Sequence, residues 1–273
     1  MRDFSGRRIV ITGGSSGLGL ALATELAQQG AHLGLVARNS QNLDQVTRDI
    51  KQKHGSGTLI ETAAVDVSDE AACQRELNLL VARLGGIDML INCAGILREG
   101  HFQELSTQTF RDVMDINLFG VLNASRALLP ALRTSQGRIV NIASIGGLTG
   151  VFGYAPYCAS KHALVGLTET MRCELKPQGI RVQLVCPPEF DSPMVEALDK
   201  YRTPENKAHT LTIPKHDVQT IVRGTLKGIK RGSFLIVPGT MAWMASLGMR
   251  HFPRIQHWVV DRVIASVYKG PQK

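Results

Sequence analysis

Tyr157 and Lys161 stand four residues apart, and Ser144 precedes the tyrosine by thirteen. Four residues is about one helical turn, so the phenol and the ammonium share a face. A free tyrosine titrates near ~10 and exchanges protons poorly at neutral pH. A neighbouring ammonium favours the phenolate and should bring that value down. Ser144, just past an apolar run, offers a hydroxyl to hold a substrate oxygen. Asn117 falls inside a long helical stretch, where a kink would free a carbonyl to hold a water feeding Lys161. Each type alone has an ordinary explanation: half-buried tyrosine, surface lysine, turn serine. Their joint spacing points to moving a hydride to or from a carbonyl carbon.

A second constellation supplies the place for a nucleotide. Thr12-Gly13-Gly14-Ser15-Ser16-Gly17-Leu18-Gly19 joins an apolar run to a helix. Glycines there let backbone approach a pyrophosphate, and the helix start offers free N–H groups and a positive dipole end. After the next apolar run comes Arg38-Asn39, where an NAD site usually carries a carboxylate. Arg38 suits a 2′-phosphate instead, with Ser15 and Ser16 as further donors, so the cofactor expected is NADPH/NADP+. Asp66-Val67 is placed to meet the adenine, and Asn92, Ala94 and Gly95 lie on the same edge.

The elements that must position these groups alternate along the chain. Short apolar runs at 7–12, 32–37, 59–65, 87–92, 138–143, 180–185 and 233–237 read as strands. Helices are expected at 18–29, 40–54, 69–84, 103–133 with a break near Thr107, 157–176 and 217–230, with Gly30 and Gly55-Ser56-Gly57 as stops. Such alternation predicts an α/β fold: a single doubly wound Rossmann domain with a mostly parallel seven-stranded sheet. Residues 1–239 would form the catalytic domain and 240–273 a helical appendage.

Composition narrows the classes. Hydrophobic residues make up 44% and charged residues 20% of 273, an ordinary balance for a protein with a good core. The five cysteines are scattered and odd in number, and the eight histidines show no ligand spacing, so reduced core thiols and no metal site are expected. The start lacks the apolar run of a signal peptide, which predicts a cytoplasmic protein. Residues 1–195 carry 18 Lys+Arg and 18 Asp+Glu, whereas residues 196–273 carry 13 and 5. A neutral body with a basic tail predicts an anionic partner for the tail, and no nucleic-acid partner is expected.

Taken together, these residues resemble the short-chain dehydrogenase/reductase family over about residues 7–190. The resemblance rests on the turn at 12–19, Asn92-Cys93-Ala94-Gly95, Asn117, Ser144 and Tyr157-Cys158-Ala159-Ser160-Lys161. It implies a Ser–Tyr–Lys–Asn tetrad, a nicotinamide cofactor, and a homodimer or homotetramer built on the two long helices. It implies too that Tyr157 protonates the developing alkoxide held by Ser144, while Lys161 also binds the nicotinamide ribose. The family generally carries Pro-Gly and then Thr over the nicotinamide carboxamide; here the segment reads Pro187-Pro188-Glu189-Phe190-Asp191-Ser192-Pro193. Pro187 keeps its place, a second proline stiffens the loop, and Ser192 stands in for the threonine.

That segment looks like the 3-ketodihydrosphingosine reductases, as do Ile87-Asp88-Met89-Leu90, Phe152-Gly153-Tyr154-Ala155 and Glu174-Leu175-Lys176-Pro177. This closer resemblance implies NADPH-dependent reduction of the C3 ketone of a long-chain 2-amino-1-hydroxy lipid. A steroid, retinoid or 3-oxoacyl thioester is the competing substrate, and a catalytically silent NADP(H)-binding scaffold a reading of another class. In the tail, the apolar run 241–249 is too short to span a bilayer. From Pro253 onward Ile255, Trp258, Val259, Val263 and Val267 recur at helical spacing, among Arg254, Arg262 and Lys269. Residues 240–269 would therefore lie on anionic membrane from the cytoplasmic side, or else cover the cleft or an oligomer contact. Either arrangement leaves a deep apolar pocket suited to a lipid-like ketone.

Overall fold

Apolar runs of four to six residues cannot show both faces to water, and here they are stacked side by side. The computed structural model describes residues 3–54 and 57–269, and only the backbone of Lys269. Seven strands, β1 (Arg8–Thr12), β2 (His32–Ala37), β3 (Ile60–Ala64), β4 (Met89–Asn92), β5 (Arg138–Ile142), β6 (Arg181–Val185) and β7 (Leu235–Ile236), form one parallel sheet. Their order is β3-β2-β1-β4-β5-β6-β7. Ile9, Val10, Leu33, Met89, Leu90, Ile139 and Val140 have no exposed surface, as strands covered on both faces require. Between β1 and β4 the chain reverses its direction of winding, and the carboxyl ends of those strands open a crevice there.

Helices cover both faces: α1 (Gly17–Gln28), α2 (Ser40–His54), α3 (Glu70–Leu84), α4 (Thr107–Met114), α5 (Gly120–Ser135), α6 (Ala155–Leu175), α7 (Pro193–Leu198), α8 (Pro204–Thr210) and α9 (Val218–Arg231). Local signals set their ends. Asp69 accepts from the Ala72 amide at the start of α3, and Asp217 from the Thr220 amide at the start of α9. Gly85 (φ 74°) and Gly232 (φ 77°) end those two helices in the left-handed conformation.

Three expectations are corrected. The stretch from 103 onward becomes helical only at Thr107, because Ser106 takes the Thr109 amide and starts α4 there. The kink expected at Asn117 is there, as a π-helical turn at Asp115–Phe119. The last strand shrinks to two residues, and the segment left unassigned before α9 folds into α7 and α8. Gly55 and Ser56, expected to close α2, lie outside the described residues.

The chain then adds α10 (Thr240–His251) and α11 (Pro253–Lys269), with Pro253 in the first turn of the second. α11 packs on α8, and the pair crosses above the carboxyl edge of the sheet. No described helix is long and apolar enough to cross a membrane.

Candidate active site

The glycine-rich turn is shaped by what its glycines lack. A Cβ on Gly13 (φ 70°) would sit 2.9 Å from the backbone of Ala94, and one on Gly19 only 2.2 Å from the Gly13 carbonyl oxygen. These two glycines let β1, β4 and α1 close together. Gly17 (φ 52°) instead faces open space. Ser16 begins α1 without a capping side-chain bond, and no acidic residue lies in the first turn. The amides there stay free for an anion, which fits a dinucleotide pyrophosphate. Ser16, Gly17, Leu18 and Gly19 line the crevice, as do Gly13, Ala94 and Gly95, whereas Ser15 is half-buried beside it.

Two residues expected at the cofactor have their side chains bonded within the protein. The Thr12 hydroxyl accepts from the amides of Cys93 (3.1 Å) and Ala94 (3.2 Å), tying β1 to the end of β4. The Asn92 amide donates to Ser125 Oγ and to Asn141 Oδ1, and Asn141 donates in turn to Thr168. Buried polar groups seek partners, and the Thr12 hydroxyl and the Asn92 Nδ2 find them within the sheet and its covering helices, while Asn92 Oδ1 has none. Their part is to hold the edge that the crevice needs.

At the next edge, Arg38 is exposed, with its guanidinium 3.9 Å from Asp66. Part-burial works against the Asp66 carboxylate, yet hydrogen bonds from Ser68 and the Arg38 charge hold its pKa below the ordinary value. Asn39 takes the Asn42 amide at the start of α2. Val67 is buried, and its side chain fills the space where Gly120 has none. Arg38 is thus held only loosely and remains available to a phosphate.

The four tetrad residues converge. Ser144 follows β5 and takes the Gly146 amide at 3.1 Å. Tyr157 sits in the first turn of α6, one turn before Lys161, whose Nζ lies 5.7 Å from the phenol ring centre. Lys161 donates to the Ile142 carbonyl at 2.9 Å. Asn117 grips the Ile96 backbone at both ends of its amide, 2.8 and 2.9 Å, and donates to Ser160 Oγ at 3.0 Å. Gly95 keeps the space between Asn117 and Lys161 clear: its Cβ would lie 3.2 Å from one and 3.6 Å from the other.

Electrostatics correct the expectation for the phenol. Burial pushes Tyr157 above its ordinary pKa, against the contact with Ser144, and pushes Lys161 down to about 8. Desolvation of the charged form is the largest cause of both shifts. The resting site therefore holds a neutral phenol, which is the state that donates a proton.

A cavity of about 550 Å³ runs from the glycine turn past Ser144, Tyr157 and Lys161 to the inner faces of α10 and α11. Pro187, Phe190, Ser192 and Met194 form one wall, and Ala245, Met249, Phe252, Ile255 and Val259 the roof. Ser192 lines the cavity while its hydroxyl takes the Val195 amide and starts α7. Sequence reasoning missed a neighbouring network: Arg202 bonds to Glu189, Asp199 and the Tyr154 hydroxyl. Tyr154 and Glu189 were visible in motifs, but nothing local signalled their joining. Among the described residues, no cluster of His, Cys, Asp or Glu has the makings of a metal site.

Comparison with known proteins agrees with this geometry. Residues 7–203 match the short chain dehydrogenase family. A 3-ketodihydrosphingosine reductase of Bos taurus is 34% identical over 245 residues, covering 88% of this chain and 74% of that protein. Levodione reductase of Leifsonia aquatica is 37% identical over 205 residues, covering 74% and 76%. A short chain dehydrogenase of Burkholderia cenocepacia solved with NADP superposes with a TM-score of 0.79 at 27% identity, over 94% of this chain and 98% of that one. A glycine turn shaped for a pyrophosphate, a serine, tyrosine and lysine at one end of a cavity, and a family match over most of the chain lead to one conclusion: this protein belongs to the short chain dehydrogenases and is an oxidoreductase of ketone and alcohol groups that uses a nicotinamide cofactor.

Proposed function

We propose that this enzyme reduces 3-ketodihydrosphingosine to dihydrosphingosine with NADPH. The observation that carries this reading is the apolar chamber roofed by α10 and α11, which continues from Tyr157 and suits a long alkyl chain. The similarity to 3-ketodihydrosphingosine reductases over 88% of the chain supports it. For the cofactor, the free amides at the start of α1 would hold the pyrophosphate, and Arg38 the 2′-phosphate. A nicotinamide bound there supplies the hydride. Tyr157 donates its proton to the oxygen of the reacting carbonyl while Ser144 holds that oxygen by a hydrogen bond. Lys161, charged below pH about 8, stabilises the phenolate this leaves and passes a proton back.

The test is to follow NADPH consumption by purified protein with 3-ketosphinganine, a steroid ketone and an acetoacetyl thioester. Turnover of the sphingoid ketone above the others is expected. Activity confined to another ketone would keep the chemistry and discard the substrate. That second reading draws on the granaticin polyketide ketoacyl reductase of Streptomyces violaceoruber, 37% identical over 195 residues and covering 70% of this chain and 71% of that protein. Arg38→Ala should raise the KM for NADPH about 10- to 100-fold, the worth of a charge-assisted contact, with little change for NADH. Equal loss for both cofactors would refute the 2′-phosphate assignment.

The outer faces of α10 and α11 expose Trp243, Met244 and Trp258, and the Arg262 guanidinium stacks on Trp258 at 4.1 Å. Apolar rings beside cations suit the interface of an anionic bilayer, which would be the source of the substrate.

A further inference from the structure

Tyr154 directly precedes α6, three residues before Tyr157, and is 5% exposed. Its ring meets the Tyr157 ring edge to face, with centres 5.8 Å apart and planes at 73°. With Leu97, Cys158 and Leu198 it forms a small buried cluster against which Tyr157 packs. Tyr157 also runs along Gly146, where an added Cβ would lie 3.6 Å from the phenol ring. Elsewhere Tyr157 lines the cavity. A ring open to a cavity has its direction set by the neighbours that remain, and edge-to-face pairs hold a preferred angle.

Tyr154 is itself anchored from the loop that walls the cavity. Arg202 Nη2 donates to its hydroxyl at 2.9 Å. Both terminal nitrogens of Arg202 also donate to Glu189, which lines the cavity, one contact at 3.1 Å. Arg202 and Glu189 would brace the loop by themselves; the bond to Tyr154 ties that brace to the ring beside the proton donor. The residues that follow grip the segment ahead of Tyr154. Asn206 donates to the Phe152 carbonyl at 2.5 Å, and the Phe152 amide donates to His209 Nδ1 at 3.1 Å. Both belong to α8, on which the roof helix α11 packs. Burial pushes the Tyr154 pKa up to about 12, so this phenol serves as an acceptor for Arg202 instead of a second acid.

We propose that Tyr154 is a positioning residue for the proton step: its ring, anchored by Arg202, holds the Tyr157 phenol in its donating direction. This rests on the reading of Tyr157 as proton donor and deepens it. The wall that receives the substrate thereby also aims the group that protonates it.

Steady-state kinetics with NADPH and whichever ketone is turned over fastest tests this. Tyr154→Leu removes the ring, so kcat should fall about 10- to 100-fold, the cost of a small misplacement of a reacting group. The KM for NADPH should stay at its wild-type value, and the solvent deuterium effect on kcat should rise, since proton transfer then limits the rate. Tyr154→Phe keeps the ring and loses only the Arg202 bond, so it should recover most of the rate. Wild-type kcat in Tyr154→Leu would overturn the proposal. So would a raised KM for NADPH with an unchanged solvent effect, the mark of general loosening. Tyr157→Phe measured alongside separates the failures. Full turnover in it sinks the donor reading, whereas its inactivity beside an unaffected Tyr154→Leu sinks the positioning alone. Should Tyr154→Leu not fold, Tyr154→Met is judged by the same criteria. NMR of tyrosine-labelled protein decides without any ketone, as the chain has four tyrosines. The Tyr157 ring signal should broaden or divide in Tyr154→Leu and stay single in Tyr154→Phe; a single sharp signal in both overturns the proposal.

Discussion

Tyr157 is the residue on which the proton step rests, and its neutral resting state sets how activity follows pH. Tyr157→Phe removes the donor while keeping the ring, so turnover should fall about 10²- to 10⁴-fold with NADPH binding intact, as fluorescence titration would report. Unchanged turnover would remove the phenol from the mechanism. Lys161 is charged below pH about 8 and neutral above it, and only the charged form stabilises the phenolate. Reduction measured as kcat/KM should therefore stay level below pH about 8 and decline above it. A profile flat through pH 10 would show that the lysine charge is not used. The spacing of these residues was legible in the sequence, but the direction of the phenol pKa was not. Two residues four apart report a shared face, whereas burial depends on β5, the π turn and the roof closing around them.

At the scale of elements, the π turn at Asp115–Phe119 and the glycine-tight junction of β1, β4 and α1 place the chemistry. Gly19→Ala puts a methyl group against the Gly13 carbonyl, so the turn must open. NADPH affinity should fall at least about tenfold in calorimetry, as expected when overpacking moves a binding backbone. Gly17→Ala meets no atom but must hold φ 52°, so it should cost stability, about 1 kcal/mol by denaturant melts, more than affinity. Strand and helix alternation made the sheet readable, since apolar runs and caps are local signals. The orientation of Thr12 and Asn92 was not readable, because their partners Ala94, Ser125 and Asn141 come from other elements. The ties of Arg202 to Glu189 and Tyr154 span 13 and 48 residues, which no window of local pattern reaches.

Across the whole molecule, the basic surplus of residues 196–273 and the exposed apolar rings of α10 and α11 lie on one structure. Replacing both Trp243 and Trp258 by serine should weaken co-sedimentation with anionic liposomes about tenfold or more, the worth of two indoles leaving an interface. Reduction of a short water-soluble ketone should stay close to wild type. Equal sedimentation of the variant would point to a packing role for those rings. The tail's amphipathic stripe was legible, but which of its faces meets the cavity required the fold. The family match ends at residue 203, and the roof of the cavity comes from beyond it. Hydride chemistry and the roof of the cavity are thus written in separate stretches of the chain, although the wall at 187–194 belongs to the first. Variation in α10 and α11 can retune what is reduced without risking how it is reduced, and that division makes the roof the place where new specificities can arise by small steps.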